Sequence, residues 1–218
     1  MDSWRLKPAR LTMEKIRDAT EEFRKDHIFA DTLPVDIERV IEATMGITII
    51  PVKSLHKDCD MDGFISLDFK SIYVDEDLYM DDRYYKRVRF TIAHEIGHMV
   101  LHRSGIDGLR FETEKEWMSF RNQLKDDDLG WFETQASEFA GRLLVPKDHL
   151  IEVFTRARTE VQNRYRSWNA PSLSNDELFS VVAPKICMRF DVSADVIFPF
   201  PSPEGISLST GMRGELFL

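Results

Sequence analysis

The string Thr91-Ile92-Ala93-His94-Glu95-Ile96-Gly97-His98-Met99-Val100-Leu101-His102 constrains this chain more than any other part of it. It contains the pattern HExxH. Histidines four residues apart stand on one face of a helix, so the spacing acquires chemical meaning when the segment is helical. From Arg83 to Arg103 there is no proline, and Gly97 is the sole breaker. We read one long helix here, capped by Asp81 or Asp82 and ended by Gly105. On it, His94 and His98 can face the same metal ion. Glu95 lies about 100° round the helix from His94. It can flank the metal without ligating it, which is where a general base for a water stands. With 6 His in 218 residues, an accidental match arises roughly once in a hundred such chains. That outweighs the bland reading of two coincidental core histidines.

Two histidines leave a zinc ion short of the three protein ligands that a catalytic site uses. The extension that supplies Gly and a third His on the same run is absent, because those positions hold Leu101 and Ser104. His102, one turn beyond His98, is strained as a ligand and takes a supporting or core role. The better source is a carboxylate on another helix. From Glu133, the helical face runs Ala136, Ser137, Ala140, Gly141, all small. Such a face permits a close helix–helix approach, which Gly97 can assist. It would carry Glu133 to the metal. The alternative is that Glu133 only complements its helix N-terminus. Glu138, Glu112 and Glu116 stand in reserve.

The rest of the chain reads as mostly helical. Leu11 to Ala30 carries an apolar stripe of Ile16, Ala19, Phe23 and Ile28. A second helix spans Val35 to Thr44, with Gly46 as its C-cap. Ile47 to Val52 is a β-branched strand. Phe64 to Leu67 and Ser71 to Val74 form a hairpin, whose edge could pair with an extended substrate backbone. Asp75 to Asp82 reads as an acidic loop, and Asp126-Asp127-Asp128 opens a helix that Pro146 stops. Leu150 to Tyr165 and Asp176 to Phe190 are helical, the latter broken near Pro184. After Phe198 comes an extended tail. The fold class is thus α+β, with about three strands before the HExxH helix. We expect a core over residues 1–150 and a helical extension with a tail over 151–218.

Composition narrows the function. The net charge is −9, which argues against gripping phosphate backbones. The basic group Arg83, Lys86, Arg87 and Arg89 reads as a helix flank that neutralises the acidic loop. Cys59 and Cys187 are far apart and form no disulfide framework. They fit a reducing cytoplasm, and no apolar run is long enough to span a bilayer. With cysteine so scarce, a metal must be held by His and carboxylate, which suits an open catalytic site. Trp117, Phe120, Trp131 and Phe132 read as core.

Several strings in order resemble the ImmA/IrrE metallopeptidases, a zincin-like family also known as domain of unknown function 955. They are Leu33-Pro34-Val35-Asp36-Ile37, Asp62-Gly63-Phe64, Ile72-Tyr73-Val74 and Arg89 to His98 with Leu101-His102. After these come Glu133 with Ala136, Phe139-Ala140, Leu143-Leu144-Val145-Pro146, and Arg189-Phe190-Asp191-Val192-Ser193. The resemblance covers roughly residues 12 to 197. It implies that His94, His98 and Glu133 bind zinc and that Glu95 is the catalytic glutamate. It also implies cleavage of a transcriptional repressor in phage, mobile-element or stress regulation. Ser137 stands where the family often has Asn, and Ile197-Phe198-Pro199 where an Arg-Leu pair often follows.

Two further readings compete. One is a non-proteolytic regulator that binds a repressor or partner protein, with structural zinc; the intact Glu95 argues against it. The other is DNA binding near Arg189 to Ile197, which the acidic charge and the lack of a basic recognition helix oppose. For the oxyanion donor that peptide hydrolysis requires, the sequence offers His149, Tyr165 and Arg142. The expected partner is a protein substrate, with a basic DNA-binding repressor as the candidate class.

Overall fold

The computed structural model describes residues 10–29, 32–106, 116 and 126–197. The chain divides into two compact units, Met1–Leu144 and Val145–Leu218.

The first unit opens with helix α1, Met13–His27, whose N-cap Thr12 accepts from the Lys15 N–H. Its buried positions Ile16, Thr20 and Phe23 form the expected stripe. A short helix α2, Ile37–Arg39, continues as a wider π-type turn over Val40–Met45. Gly46 ends it at φ 66°, a left-handed cap that glycine adopts without steric cost. Strand β1, Thr48–Val52, follows, and then a short helix α3, Leu55–Cys59. Strands β2, Gly63–Ile65, and β3, Ser71–Asp75, form the hairpin. β3 lies between β1, which runs parallel to it, and β2, which runs antiparallel. Ile72 and Val74 point inward from β3, as period-2 alternation requires.

The acidic segment after β3 is more ordered than a loop. Helix α4, Glu76–Tyr79, begins there, and a 3₁₀ turn, Asp82–Tyr84, leads into the long helix. The buried Asp75 organises this region. Its Oδ1 accepts from the Leu78 N–H at 3.1 Å and its Oδ2 from the His56 N–H at 2.9 Å. One carboxylate thus serves the first turns of two short helices.

Helix α5, Tyr85–Ile106, carries HExxH, and it runs through Gly105 rather than ending there. Val88, Ile92, Ala93 and Ile96 are buried around it. Arg89, also buried, donates to the Val35 carbonyl at 2.7 Å. Helix α6, Asp126–Leu144, packs along α5 more extensively than any other described pair of elements. Phe139 meets Phe23 of α1 edge-on at 5.7 Å, and Arg24 caps the Leu143 carbonyl at 3.1 Å. The α+β, zincin-like class expected from the sequence is the one observed.

The second unit is a helical pair. Helix α7, Lys147–Ser167, buries Leu150, Phe154, Ala157 and Val161. Helix α8, Asn175–Phe190, buries Leu178, Phe179, Val182, Ala183, Ile186, Cys187 and Phe190, and a short helix α9, Ala194–Ile197, follows. Ser174 and Glu177 form a reciprocal capping box at the start of α8. The expected break at Pro184 does not occur. Pro184 lies on the exposed side of the helix, opposite its buried face. The apolar burial on that face offsets the roughly 3 kcal/mol that an internal proline costs. The tail after Phe198 lies outside the described residues. Among the described residues, no helix is long and apolar enough to cross a membrane.

Candidate active site

The site forms where α5, α6 and the free edge of β2 meet. Helical spacing puts His94 and His98 on one face of α5, and their Nε2 atoms lie 2.9 Å apart. Glu133, in the second turn of α6, completes a triangle: its Oε2 is 2.9 Å from His94 Nε2 and 3.5 Å from His98 Nε2. Four-coordinate zinc with bonds of about 2.0–2.1 Å separates its ligands by about 3.3 Å. The three distances bracket that value. The donor set is two imidazole nitrogens and one carboxylate oxygen, with no sulfur, which suits zinc among the common cations. The residues present therefore fit a divalent cation.

Close helix packing makes the triangle possible. A Cβ placed on Gly97 would meet the Ala136 carbonyl oxygen at 2.9 Å and its Cα at 3.0 Å. Only glycine lets α5 approach α6 this closely, and Glu133 lies less than one turn before Ala136. The small face of α6 acts as its sequence suggested.

The site is graded in exposure. The His98 side chain is 1% exposed, that of His94 14% and that of Glu133 33%. The histidines form the floor and Glu133 stands at the rim, so one side remains open. Both histidines are held from behind. His94 Nδ1 lies 3.2 Å from Ser137 Oγ, and His98 Nδ1 lies 3.1 Å from His102 Nδ1. A histidine that turns its Nε2 lone pair to a cation carries its proton on Nδ1. The Ser137 hydroxyl is placed to accept that proton from His94.

Glu95 is buried beside the triangle, and its carboxylate lies within 4.8 Å of the His94 and His98 ligand atoms. Its Oε2 accepts from the Ile65 N–H at 2.9 Å. Within the hairpin, Asp62 and Ser66 bond toward β3, so Ile65 presents its N–H on the opposite, free edge. This backbone contact was not foreseen, because a main-chain donor leaves no mark in side-chain pattern. It also modifies the expectation that the edge could pair with a substrate, since this N–H cannot serve a bound strand while Glu95 holds it. β2 is itself anchored to α5. Arg87 grips Asp62 with contacts of 2.5 and 2.7 Å, and this pairing pushes the Arg87 guanidinium pKa up. A Cβ on Gly63 would meet the Tyr73 carbonyl at 2.7 Å and Thr91 Cγ2 at 2.8 Å.

Glu138 pairs with Arg142 along α6 at 2.5–2.7 Å. Glu116 is exposed, and Glu112, Trp117 and Phe120 lie outside the described residues. His149 and Tyr165 belong to α7 in the second unit. Phe132 is fully buried, as expected, but Trp131 is 39% exposed and does not contribute a core ring. Arg83 pairs with Asp81 in the acidic segment, as the charge pattern suggested, whereas Arg87 reaches Asp62 instead.

No curated protein matches the chain. A family model does: the IrrE N-terminal-like domain of the M78 peptidases aligns with residues 43–196, more than two thirds of the chain, from the end of the π-type turn through α9. With that match spanning the HExxH helix, the Glu133 helix and the hairpin between β2 and β3, the chain belongs to the ImmA/IrrE family of metallopeptidases.

Proposed function

We propose that this protein is a zinc-dependent endopeptidase that hydrolyses a peptide bond in a protein substrate, and that the substrate is a transcriptional repressor. The observation that carries the reading is the position of Glu95. Its carboxylate is buried beside the triangle of His94, His98 and Glu133, and the Ile65 N–H fixes one of its oxygens. A closed structural metal site has no need of a base in that place.

His94 Nε2, His98 Nε2 and Glu133 Oε2 would hold the cation. Bound there, zinc supplies Lewis acidity toward water and toward a substrate carbonyl. The chain's own residues do the rest. Ile65 orients the Glu95 carboxylate, and Glu95 takes a proton from the attacking water and can return it to the leaving amine. Burial of Glu95 excludes bulk water from that transfer. The open side at Glu133 admits an extended segment of substrate. A net charge of −9 favours a basic protein partner over a nucleic acid. Repressors that bind DNA carry such basic surfaces, and the family's resemblance points the same way. The cytoplasm is the compartment where such a substrate occurs.

The test compares wild type with Glu95→Gln. Bound zinc is measured in both, and both are incubated with candidate repressors. The reading predicts that both bind zinc and that only wild type cleaves, with the loss at least about 10²-fold, as for removal of a general base. Cleavage by both forms, or by neither despite bound zinc, would contradict it.

A further inference from the structure

We propose that His102, outside the HExxH motif, is a positioning residue for the metal site: it fixes the His98 ring in the tautomer that turns Nε2 toward the cation. The inference rests on the zinc-site reading above and assigns a task to a residue that reading leaves unused.

His102 is buried one turn beyond His98 on the same face of α5. The two Nδ1 atoms are 3.1 Å apart. Two neutral imidazoles at that distance share one proton, so one Nδ1 donates and the other accepts. There are two arrangements. In the first, His98 carries its proton on Nδ1 and donates it, while His102 carries its own on Nε2. In the second, His102 donates from Nδ1, and the His98 proton moves to Nε2. That would place it among His94 Nε2, at 2.9 Å, and Glu133 Oε2, at 3.5 Å. A cation bound there requires the Nε2 lone pair and excludes the second arrangement. Metal binding and the direction of the His98–His102 hydrogen bond are therefore one coupled choice.

Packing holds the pair in register. The Phe132 ring stacks on both imidazoles, with centroids 4.2 Å from each and planes 29° and 25° apart. Phe132 comes from α6 and immediately precedes Glu133. The turn of α6 that brings the carboxylate also presses the two rings into place. His94 is supported differently: its Nδ1 faces a hydroxyl, which donates or accepts equally well. The coupling of one ring's tautomer to that of a second ring is thus specific to the buried side of the site.

Three forms test this: wild type, His102→Leu, which fills the space without an acceptor, and His102→Asn, whose amide oxygen can replace the Nδ1 acceptor. Zinc affinity is measured by competition with a chromophoric chelator, and thermal stability is measured on the metal-free forms. The proposal predicts affinity weakened about 10–100-fold in His102→Leu, the usual range for loss of a ligand's supporting partner. It predicts that His102→Asn recovers most of it, whatever the order of the melting temperatures. Zinc held by His102→Leu as tightly as by wild type would overturn the role of His102 alone. A wild-type chain that takes up no zinc would instead contradict the metal-site reading itself. If His102→Leu does not fold, ring ¹⁵N spectra of zinc-loaded wild type decide. A proton on His98 Nδ1 with none on His102 Nδ1 supports the proposal, and a proton on His102 Nδ1 overturns it.

Discussion

Gly97→Ala tests the packing that assembles the site. The added Cβ would stand 2.9 Å from the Ala136 carbonyl oxygen, 3.0 Å from its Cα and 3.3 Å from its carbonyl carbon, where ordinary contacts begin at 3.4 Å. All three atoms are backbone of α6, so no side chain can swing aside. Relief requires the helices to separate by about 0.5 Å, the overpacking that typically costs about 1–3 kcal/mol. The substitution also removes a mid-helix glycine, which returns about 0.5–1 kcal/mol of helix propensity. The net stability loss should be no more than about 2.5 kcal/mol. The effect on the site should be larger in proportion, because Glu133 lies three residues from Ala136 on the helix that is displaced. We predict a fall in zinc affinity of about tenfold or more, since metal ligation tolerates errors of only about 0.2 Å. Gly130→Ala is the control: a Cβ there meets nothing within 4 Å, so it should be neutral or stabilising by up to about 1 kcal/mol. Chelator competition and thermal melts of both variants measure the contrast. Unchanged zinc affinity in Gly97→Ala, with a melting temperature equal to or above wild type, would refute the close-approach argument.

The same reasoning applies to the base. Gly63→Ala would push β2 from α5 and draw the Ile65 N–H from Glu95; kcat should fall while zinc content stays at the wild-type level, and a parallel loss of both would contradict this division of labour. Asp75→Asn turns one of two carboxylate acceptors into a donor facing an N–H. Urea denaturation should show a loss of about 2–3 kcal/mol, and a change within a few tenths would refute the double-capping role. The backbone N–H of Ser174, and after it the Ser174 hydroxyl, hold the Glu177 carboxyl below its ordinary 4.5. A depressed folded pKa means that its contribution is present above that value and is lost as pH falls through the folded pKa. An NMR titration should place Glu177 below 4.5 in wild type and return it toward 4.5 in Ser174→Ala.

What the sequence disclosed is what side-chain pattern encodes. His94, Glu95 and His98 were legible because fixed spacing on a helix has one geometric meaning. Glu133 was legible because Ala136, Ser137, Ala140 and Gly141 mark a face built for contact. The short helices Leu55–Cys59 and Glu76–Tyr79 are too brief for periodicity to register, and they are organised by a buried Asp75 that looks like part of a solvated acidic run. The contact from Ile65 to Glu95 belongs to the backbone and depends on which edge of the hairpin faces α5. Pro184 misled because its penalty is local, while the burial that overcomes it comes from Val182, Ala183 and Ile186 packed in the second unit. Spacing gives His102 only a supporting or core role; its Nδ1 contact with His98 and the Phe132 clamp across both rings depend on how α5 and α6 pack.

His94, His98 and Glu133 should together hold one zinc ion. Anomalous diffraction from crystals of the purified protein, recorded above and below the zinc absorption edge, measures this directly. The expected result is one zinc peak at about 2.0–2.2 Å from His94 Nε2, His98 Nε2 and a Glu133 carboxylate oxygen. A zinc peak at any other set of residues, or one that leaves Glu133 out of bonding distance, would contradict it.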